Sequence, residues 1–354
     1  PEVIRGMRER GYDMPVLLRI ENILDSQITL LHESFRKAIG SLGYKGEYRG
    51  VFPIKVNQQQ HTVEKIAQFG SRFHHGLEVG SKAELISAIS QLKDRDACLV
   101  CNGYKDEEFI DLGLFAIKLG FQCILVVEMP SELETIIERS RALGIKPMIG
   151  VRMKLSTRAG GLWQESGGDR SVFGLNTAQL MDLVDRLKAE DMLDCLRLLH
   201  YHIGSQIPNI RDIRAGVQEA CRVYIGLAQE GAKMGYLDLG GGLAVDYDGS
   251  HTNYRLSRNY TLDEYCVDII ETVGEMLSGA GVAHPDIITE SGRATIAYCS
   301  VLLFNILDVS EFEPARIPDK VPDDANEMTR DLINILKVVN TKNLQECFHD
   351  AIYY

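Results

Sequence analysis

The sequence contains no apolar run long enough to cross a membrane, and its opening residues, Pro1-Glu2-Val3-Ile4-Arg5-Gly6, do not form a signal-peptide pattern. Basic residues are outnumbered, with 38 Lys and Arg against 50 Asp and Glu, which gives a formal net charge of -12. This balance argues against a nucleic-acid partner and suits a small cationic substrate. We therefore expect a cytoplasmic protein that has neither nucleic acid nor a membrane as a partner.

A disulfide framework is also missing. The eight cysteines are scattered through apolar segments. Cys98 and Cys101 form a C-x-x-C, but they lie in a strand-like run, where residues three apart point to opposite faces. One metal ion or one disulfide could not easily use both side chains. A reduced, cytosolic protein is the interpretation that fits.

What the sequence does contain is a regular alternation of short apolar strands and amphipathic helices. Strands are predicted at 51–55, 73–79, 97–101, 123–127, 147–153, 196–203, 236–239 and 286–290. Helices are predicted between them at 63–69, 82–92, 107–119, 131–143, 177–188, 213–229 and 262–277. Most of the strands are too apolar to have one face in water, so the pattern favours an α/β fold, a closed (β/α)8 barrel. The alternative is a doubly wound open sheet, which usually carries G-x-G-x-x-G after its first strand; this motif is absent there.

The two ends of the chain do not follow this alternation. Residues 1–43 hold a strand at 15–20 and a helix at 22–39 that lead into the barrel, which we place at 44–295. A strand at 301–309 and a helix at 323–340 predict that residues 296–354 begin a second, β-rich domain with a helical insertion, which the sequence does not complete. Two long connections, 154–176 and 242–260, follow strands and therefore belong to the face that carries barrel active sites.

Polar residues collect where the predicted strands end. They are Lys55, Glu78, Arg152, His200, His202, Asp238, Gly240-Gly241-Gly242, Glu290 and Arg293. Lys55 lies in an apolar run, where a desolvated ammonium loses its proton readily and becomes an amine nucleophile that can form a Schiff base. The alternative is a lysine whose tip reaches solvent from the strand end.

Two glycine-containing loops follow neighbouring strands. The backbone N–H groups of Gly240–Gly242 can approach an anion closely, and Ser291-Gly292-Arg293 adds a guanidinium. A triple glycine alone is an ordinary turn, but two such loops match the phosphate site that barrel enzymes build after strands seven and eight. His200 and His202 would share one strand face, as a metal pair does. No later strand end supplies a further histidine, so a histidine that stacks beside a ring is favoured.

Glu290 ends an apolar strand, where a carboxylate needs a cationic partner or takes up a proton. The partner is either Arg293 or a protonated heterocyclic nitrogen. A Schiff-base lysine, a phosphate cradle, a stacking histidine and a carboxylate for a ring nitrogen are together what pyridoxal phosphate (PLP) requires. A carboxylate at the ring nitrogen makes the ring a strong electron sink, which favours decarboxylation over racemisation.

Six stretches resemble the biosynthetic arginine decarboxylases, a branch of the alanine-racemase-like fold type that also includes ornithine and diaminopimelate decarboxylases. The stretches are 52–58, 76–85, 101–106, 202–206, 238–247 and 288–293. The lysine, the H-x-G-S and the G-G-G elements are shared across the fold type. The runs Cys-Asn-Gly-Tyr-Lys-Asp at 101–106 and Val-Asp-Tyr-Asp-Gly at 245–249 are specific to the arginine branch. The resemblance covers residues from about 14 to 309.

The resemblance implies roles for individual residues. Lys55 would form the Schiff base with PLP, His202 would stack on its ring, and Glu290 would hold its nitrogen. Glu78 and Arg152 would line the other edge of the cofactor. Phosphate contacts are implied for Ser205, Gly240, Gly241, Gly242, Gly292 and Arg293, and a place beside the substrate for Leu243, Asp246 and Tyr247. L-Arginine would displace Lys55, lose its α-carboxylate and be reprotonated to agmatine, at the start of a putrescine and spermidine route.

The family also implies a homodimer or larger homo-oligomer with shared active sites, and Mg²⁺ dependence in some members. In this fold type, a cysteine from the β-rich domain of the partner subunit assists protonation, and acidic residues there bind the far end of the substrate. Cys347 lies in a helix-like segment and does not match, so we expect these residues downstream of residue 354. Two alternatives stay open: a decarboxylase for diaminopimelate or ornithine, and a non-catalytic barrel that acts as a regulator.

Overall fold

The computed structural model describes residues 1–156, 171–310 and 321–354. Its strands are β1 (Val16–Arg19), β2 (Tyr48–Pro53), β3 (Gly76–Val79), β4 (Cys98–Cys101), β5 (Gln122–Val127), β6 (Ile149–Arg152), β7 (Leu196–His200), β8 (Tyr236–Asp238), β9 (Asp286–Thr289) and β10 (Ser300–Leu303). Strands β2 to β9 form a closed parallel barrel in chain order. The barrel closes where β2 pairs with β9, with Tyr48 opposite Ile287. The predicted (β/α)8 barrel is confirmed, and the open sheet is excluded.

Helices alternate with the barrel strands and cover them from outside. The helices are α1 (Glu2–Glu9), α2 (Glu21–Leu42), α3 (Gln60–Gly70), α4 (Lys82–Gln91), α5 (Glu107–Lys118), α6 (Pro130–Leu143), α7 (Thr177–Ala189), α8 (Ile210–Gln229), α9 (Leu262–Gly279), α10 (Gly292–Ile296), α11 (Glu327–Val338) and α12 (Leu344–Tyr353). Capping boxes start two of them: Asn176 with Gln179 before α7, and Thr261 with Glu264 before α9.

The barrel strands are apolar on both faces because both faces are buried. In β5, Cys123 and Leu125 belong to the large core between sheet and helices, whereas Ile124 and Val126 belong to a small cluster inside the barrel. That inner cluster consists of Val51, Cys98, Val100, Ile124, Val126, Leu198 and Ile288. Cys98 and Cys101 therefore face opposite sides, as predicted, and all eight cysteines are free and buried.

Several predicted strands extend too far. β7 ends at His200, and the chain then turns through Gly204 and Gln206, both of which have positive φ. β3 begins only at Gly76, because Ser71–Phe73 form a 3₁₀ turn. Of the long connection at 154–176, residues 157–170 lie outside the described residues, whereas the connection from β8 to α9 is described throughout.

A strand before the barrel and a strand after it form a separate two-stranded sheet. β1 pairs antiparallel with β10, with Val16 opposite Leu303. β1 precedes the barrel in the chain but is not one of its strands: β2 and β9 already close the barrel, and β1 pairs with the strand that follows it. The strand predicted at 301–309 is the shorter β10, and the helix predicted at 323–340 is α11. In the described part of the chain, no helix is long and apolar enough to cross a bilayer.

Candidate active site

The interior of the barrel changes from apolar to polar at the carboxyl ends of the strands. In β5, inward-facing Ile124 and Val126 are followed, two residues further, by Glu128, because side chains alternate with a period of two. In the same way, Leu198 is followed by His200. The residues in these positions, which we call the polar layer, are Glu78, Asn102, Glu128, Arg152, His200, Asp238 and Glu290.

Lys55 lies over this layer. The sequence predicted that Lys55 ends strand β2. In the structure it lies in the 3₁₀ turn Ile54–Val56 that follows the strand. Its Nζ donates to Glu78 Oε2 at 3.0 Å. Asn102 Nδ2 donates to both neighbouring carboxylates, to Glu78 Oε1 at 3.1 Å and to Glu290 Oε1 at 2.6 Å. The neutral Asn102 amide thus bridges the Glu78 and Glu290 carboxylates.

The other members of the polar layer are His200, Asp238, Glu128 and Arg152. His200 Nδ1 lies 3.1 Å from Asp238 Oδ2 and 3.8 Å from Glu290 Oε1. Neither His200 Nδ1 nor Asp238 Oδ2 has a partner with hydrogen-bond geometry among the described residues. Arg152 Nη1 donates to Glu128 Oε1 at 2.8 Å. The layer therefore retains buried polar atoms that a ligand can satisfy.

Acids outnumber cations here, with Glu78, Glu128, Asp238 and Glu290 against Lys55 and Arg152. Burial raises the pKa of Asp238 to about 7. Burial, and then the neighbouring Glu290, raise the pKa of Glu78 above its ordinary value. Burial, and then Asp238, do the same for the pKa of Glu290. An excess of buried carboxylates that ionise reluctantly suits a ligand that brings positive charge, such as a protonated heterocycle.

The acids also determine the protonation state of Lys55. Burial alone would lower the pKa of Lys55, but the Glu78 and Glu290 carboxylates outweigh burial and raise it above its ordinary value. The side chain is 57% exposed, so the ammonium is only partly desolvated. The expectation that desolvation makes Lys55 lose its proton easily is therefore wrong for this chain without a ligand. His202 differs: burial, and then Arg152, lower its pKa to about 3, which keeps the imidazole neutral.

A cavity of about 460 Å³ opens above the polar layer. Its lining includes Lys55, His202, Ser205, Gly241, Gly242, Leu243, Tyr247, Glu290, Gly292 and Arg293. At one end, Arg293 Nε and Nη2 both donate to Ser205 Oγ at 3.3 Å, and Arg293 Nη1 donates to the Tyr247 hydroxyl at 3.1 Å. Among the described residues, no carboxylate forms an ion pair with this guanidinium. A guanidinium next to a serine hydroxyl and a glycine loop is an arrangement that suits an anion.

The first glycine of this loop is required by geometry. Gly240 has φ +63°, and a Cβ there would lie 2.3 Å from the backbone oxygen of Tyr201. We expect Gly240→Ala to lower the free energy of unfolding by about 3 kcal/mol, measured by urea denaturation. Gly249→Ala is the matched control, because Gly249 has φ +73° but nothing within 4 Å of the added atom. Equal losses in the two variants would show that the clash with Tyr201 has no effect.

The raised pKa of Asp238 predicts a pH dependence of stability. Between its unfolded pKa of about 3.9 and its folded pKa of about 7, the folded chain holds a proton that the unfolded chain releases. The free energy of unfolding of the cofactor-free chain therefore falls as pH rises through this window. We expect Asp238→Asn to reduce this fall, in urea titrations at pH values of about 5 and about 8. The exposed Glu64→Gln is the control, and an unchanged fall in Asp238→Asn would contradict the prediction.

The structure brings most of the predicted site residues together. His200 and His202 separate, because β7 ends between them: His202 lines the cavity and His200 lies buried in the polar layer. Asp246 is not among the residues that line the cavity. It accepts a hydrogen bond from Ser257 Oγ at 2.7 Å and lies 3.0 Å from His251 Nδ1, so it holds its own loop together.

Sequence reasoning missed two members of the polar layer. Asn102 and Glu128 are buried beside the predicted residues, and both lie two positions after an inward apolar residue. Counting in steps of two from Val100 and Val126 would have found them.

Two groups of side chains among the described residues have the spacing of metal ligands: His74 with Asp94 and Asp96, and His200 with Asp238 and Glu290. The first is on the surface, and the second belongs to the polar layer. Each contains an imidazole, whereas Mg²⁺ prefers oxygen ligands. Neither group therefore matches the Mg²⁺ that the resemblance implies for some relatives.

The fold and the site define a class: a (β/α)8 barrel whose cavity, lined by a lysine, an arginine and a glycine loop above buried carboxylates, suits a small phosphorylated, positively charged ligand. Residues 26–297 match the family described as pyridoxal-dependent decarboxylase, pyridoxal binding domain. The chain belongs to this family, and the cofactor of its barrel is pyridoxal 5'-phosphate.

Individual relatives are consistent with this assignment. The chain is 45% identical over 353 residues to the biosynthetic arginine decarboxylase of Synechococcus sp. (strain RCC307), covering 100% of this chain and 55% of the relative. It is 44% identical over 356 residues to that of Deinococcus radiodurans, covering 99% and 53%. The chain thus spans about half the length of the curated relatives it matches.

Solved structures show the same fold. The biosynthetic arginine decarboxylase of Campylobacter jejuni superposes with a TM-score of 0.78 at 32% identity, covering 99% of this chain and 58% of that one. The diaminopimelate decarboxylase of Helicobacter pylori, complexed with L-lysine, superposes with a TM-score of 0.67 at 22% identity, covering 84% and 68%. At this identity the second likeness concerns the fold alone.

Proposed function

We propose that this chain is the cofactor-binding part of an enzyme that decarboxylates L-arginine to agmatine and carbon dioxide, at the start of a polyamine route. The observation that carries the proposal is the 45% identity to a biosynthetic arginine decarboxylase over the full chain. The excess of acids beneath the cavity supports it, because the reaction requires a cationic cofactor ring.

Three residues would hold the reactive part of the cofactor. Lys55 Nζ, which lines the cavity, would attach the cofactor covalently through its aldehyde carbon. His202, neutral because burial lowers its pKa to about 3, would stack on the ring. Glu290 would accept a hydrogen bond from the ring nitrogen. Asn102 Nδ2, which donates to Glu290 Oε1, would orient the carboxylate for this bond. Glu78 and Arg152 would border the opposite edge of the ring.

The other end of the cavity would hold the phosphate. The residues proposed to bind it are Ser205, Gly240, Gly241, Gly242, Gly292 and Arg293. The Arg293 guanidinium supplies the charge, and the backbone N–H groups of Gly241 and Gly242, which line the cavity, would supply donors that need no side chain. The Gly240 N–H donates to Asp238 Oδ1 at 2.9 Å, so Gly240 would act by shaping the loop. Leu243 and Tyr247, which also line the cavity, would lie towards the substrate. Asp246 would act there only by shaping the loop that carries Tyr247.

The protein residues would act chiefly by controlling charge. When bound, the cofactor supplies an electron sink for the pair that the departing carboxylate leaves on the α-carbon. Glu290 maintains that sink by keeping the ring nitrogen protonated, because an anionic carboxylate stabilises the neighbouring positive charge. Glu78, whose pKa burial and Glu290 raise, holds the Lys55 amine by a hydrogen bond of 3.0 Å and can receive or return its proton.

We further propose the organisation of the whole protein. Residues 1–43 would precede the barrel, residues 44–295 would form it, and residues 296–354 would open a β-rich domain with a helical insertion. The protonating cysteine and the acids that bind the guanidinium would come from that second domain of a partner subunit, which makes a homodimer or larger assembly necessary for turnover. The loss of activity on dilution below the dimer dissociation constant, followed with sedimentation velocity, tests this assembly.

Two measurements test the proposed function separately. Addition of PLP to this chain should produce an absorbance band near the visible edge that persists after gel filtration and disappears on borohydride reduction. Incubation of the whole protein, including its second domain, with L-arginine, L-ornithine or diaminopimelate, followed by product analysis, should release agmatine only. Product from another amino acid instead would identify a different decarboxylase, and the absence of the band would overturn the proposed cofactor site.

A further inference from the structure

Helix α12, which follows the barrel, lies against the long connection between β8 and α9. Gln345 Nε2 donates to the backbone oxygen of Asp248 at 2.5 Å. His349 Nε2 lies 2.9 Å from Asp248 Oδ2. The His349 ring stacks on Tyr254, with 3.9 Å between the ring centroids and 29° between the planes. Three contacts from one helix thus hold one loop, about a hundred positions away in the sequence.

That loop, which we call the Tyr247 loop (residues 246–257), is closed by its own hydrogen bonds. Tyr247 N donates to Leu256 O at 2.8 Å, and Ser257 Oγ donates to Asp246 Oδ1 at 2.7 Å. Asp248 caps the turn, since its Oδ1 accepts from Ser250 N at 3.0 Å. Because the loop is closed on itself, a contact that fixes Asp248 also fixes its neighbour Tyr247.

The other end of this chain of contacts lies in the cavity. The Tyr247 hydroxyl accepts a hydrogen bond from Arg293 Nη1 at 3.1 Å, and the same guanidinium donates to Ser205 Oγ. Tyr247 is half exposed, and the hydrogen bond from Arg293 holds its ring at the cavity mouth. An arginine must be held in one orientation to bind a phosphate through two N–H groups.

We propose that His349 is a positioning residue: through Asp248 it braces the Tyr247 loop, and the loop holds the Arg293 guanidinium in the orientation that binds the cofactor phosphate. The inference rests on the proposed phosphate role of Arg293. His349 and Asp248 are only 14% and 23% exposed, so water screens their contact little. The pair lacks hydrogen-bond geometry in this arrangement, and α12 is held on the loop chiefly by the Gln345 hydrogen bond and by the stacking of His349 on Tyr254. The physical benefit is entropic, because a loop that is already ordered loses less freedom when the cofactor binds.

The test compares variants of the chain in two measurements, the dissociation constant for PLP by absorbance titration and amide hydrogen exchange of residues 247–257 without cofactor. We expect His349→Ala to weaken PLP binding about three- to tenfold, in line with the coupling of contacting side chains, and to speed exchange in the loop. His349→Gln keeps an N–H towards Asp248 and should restore part of the affinity. Ile352→Ala is the matched control, because Ile352 is exposed on the same helix and its side chain has no polar atom that could bind Asp248.

A second comparison separates positioning from a general loss of structure. If His349 acts through Tyr247, His349→Ala should have little further effect on PLP binding in a Tyr247→Phe background, which already lacks the bond to Arg293. Unchanged loop exchange in His349→Ala, or fully additive effects of the two substitutions on affinity, would overturn the inference. A parent chain that binds no PLP would instead overturn the proposed function. That failure is visible before any variant is made, and the exchange measurement still decides whether α12 braces the loop.

Discussion

Lys55→Ala is expected to abolish the absorbance band of covalently bound PLP and to lower the turnover of L-arginine by about 10³-fold or more. The reason is chemical: Lys55 is the lysine whose amine lines the cavity beside the acids of the polar layer. Without it, the cofactor is held only by its phosphate and ring contacts. Spectra of the variant after removal of free PLP, together with agmatine release by the whole protein under saturating L-arginine, measure both effects.

Two further variants separate the bond from the charge. Lys55→Arg keeps a cation next to Glu78 but supplies no amine that forms a stable bond to the cofactor, so it should lose the band as completely as alanine does. Lys37→Ala is the control for loss of a lysine, because the Lys37 side chain is 76% exposed and pairs with Asp263 at the surface. If Lys55→Ala retained the reducible band, another lysine would be the attachment site.

The second large effect is expected for Glu290→Gln, which should reduce kcat by about 10²-fold while the covalent band persists. The amide has nearly the same shape and its oxygen can still accept the bond from Asn102. It cannot, however, carry the negative charge that keeps the ring nitrogen protonated. The loss should therefore appear in kcat, with a smaller change in cofactor affinity.

The control for Glu290→Gln is a carboxylate of the same layer on the other side of the barrel. Glu128 pairs with Arg152, its pKa lowered because Arg152 and Lys105 outweigh burial. Glu128→Gln should therefore change cofactor affinity through Arg152 but leave the electron sink intact. A kcat unchanged in Glu290→Gln would refute the proposed role of Glu290 at the ring nitrogen.

The alternation of strands and helices could be predicted because both patterns are local: a strand needs only a few apolar residues in a row, and a helix needs apolar residues three or four apart. The glycine loop could be located for the same reason, since three consecutive glycines are visible in the sequence. The contact that requires glycine at 240 is not local, because it is made with the backbone oxygen of Tyr201. The ends of the strands were less predictable. β7 stops at His200, and the positive φ angles of Gly204 and Gln206 mark the turn that follows, which apolar patterning does not detect.

The state of the site depended on contacts between distant parts of the chain. Glu78 and Glu290 raise the pKa of Lys55, against the effect of burial. Both acids lie outside the run 51–57, so that run could not predict them. Asn102 joins the same two acids across 24 and 188 positions of sequence. Nor could the sequence show that β1 pairs with β10, or that His349 reaches Asp248.

The sequence by itself determined the barrel fold, the candidate lysine, the glycine loop and the likeness to arginine decarboxylases, because each of these shows in short local patterns of residues. The tertiary structure decided which polar residues meet inside the barrel and in which protonation state they stand. The physical reason is that closing the barrel buries four carboxylates beside one another, and the free energy of a buried charge depends on neighbours that only the closed fold supplies.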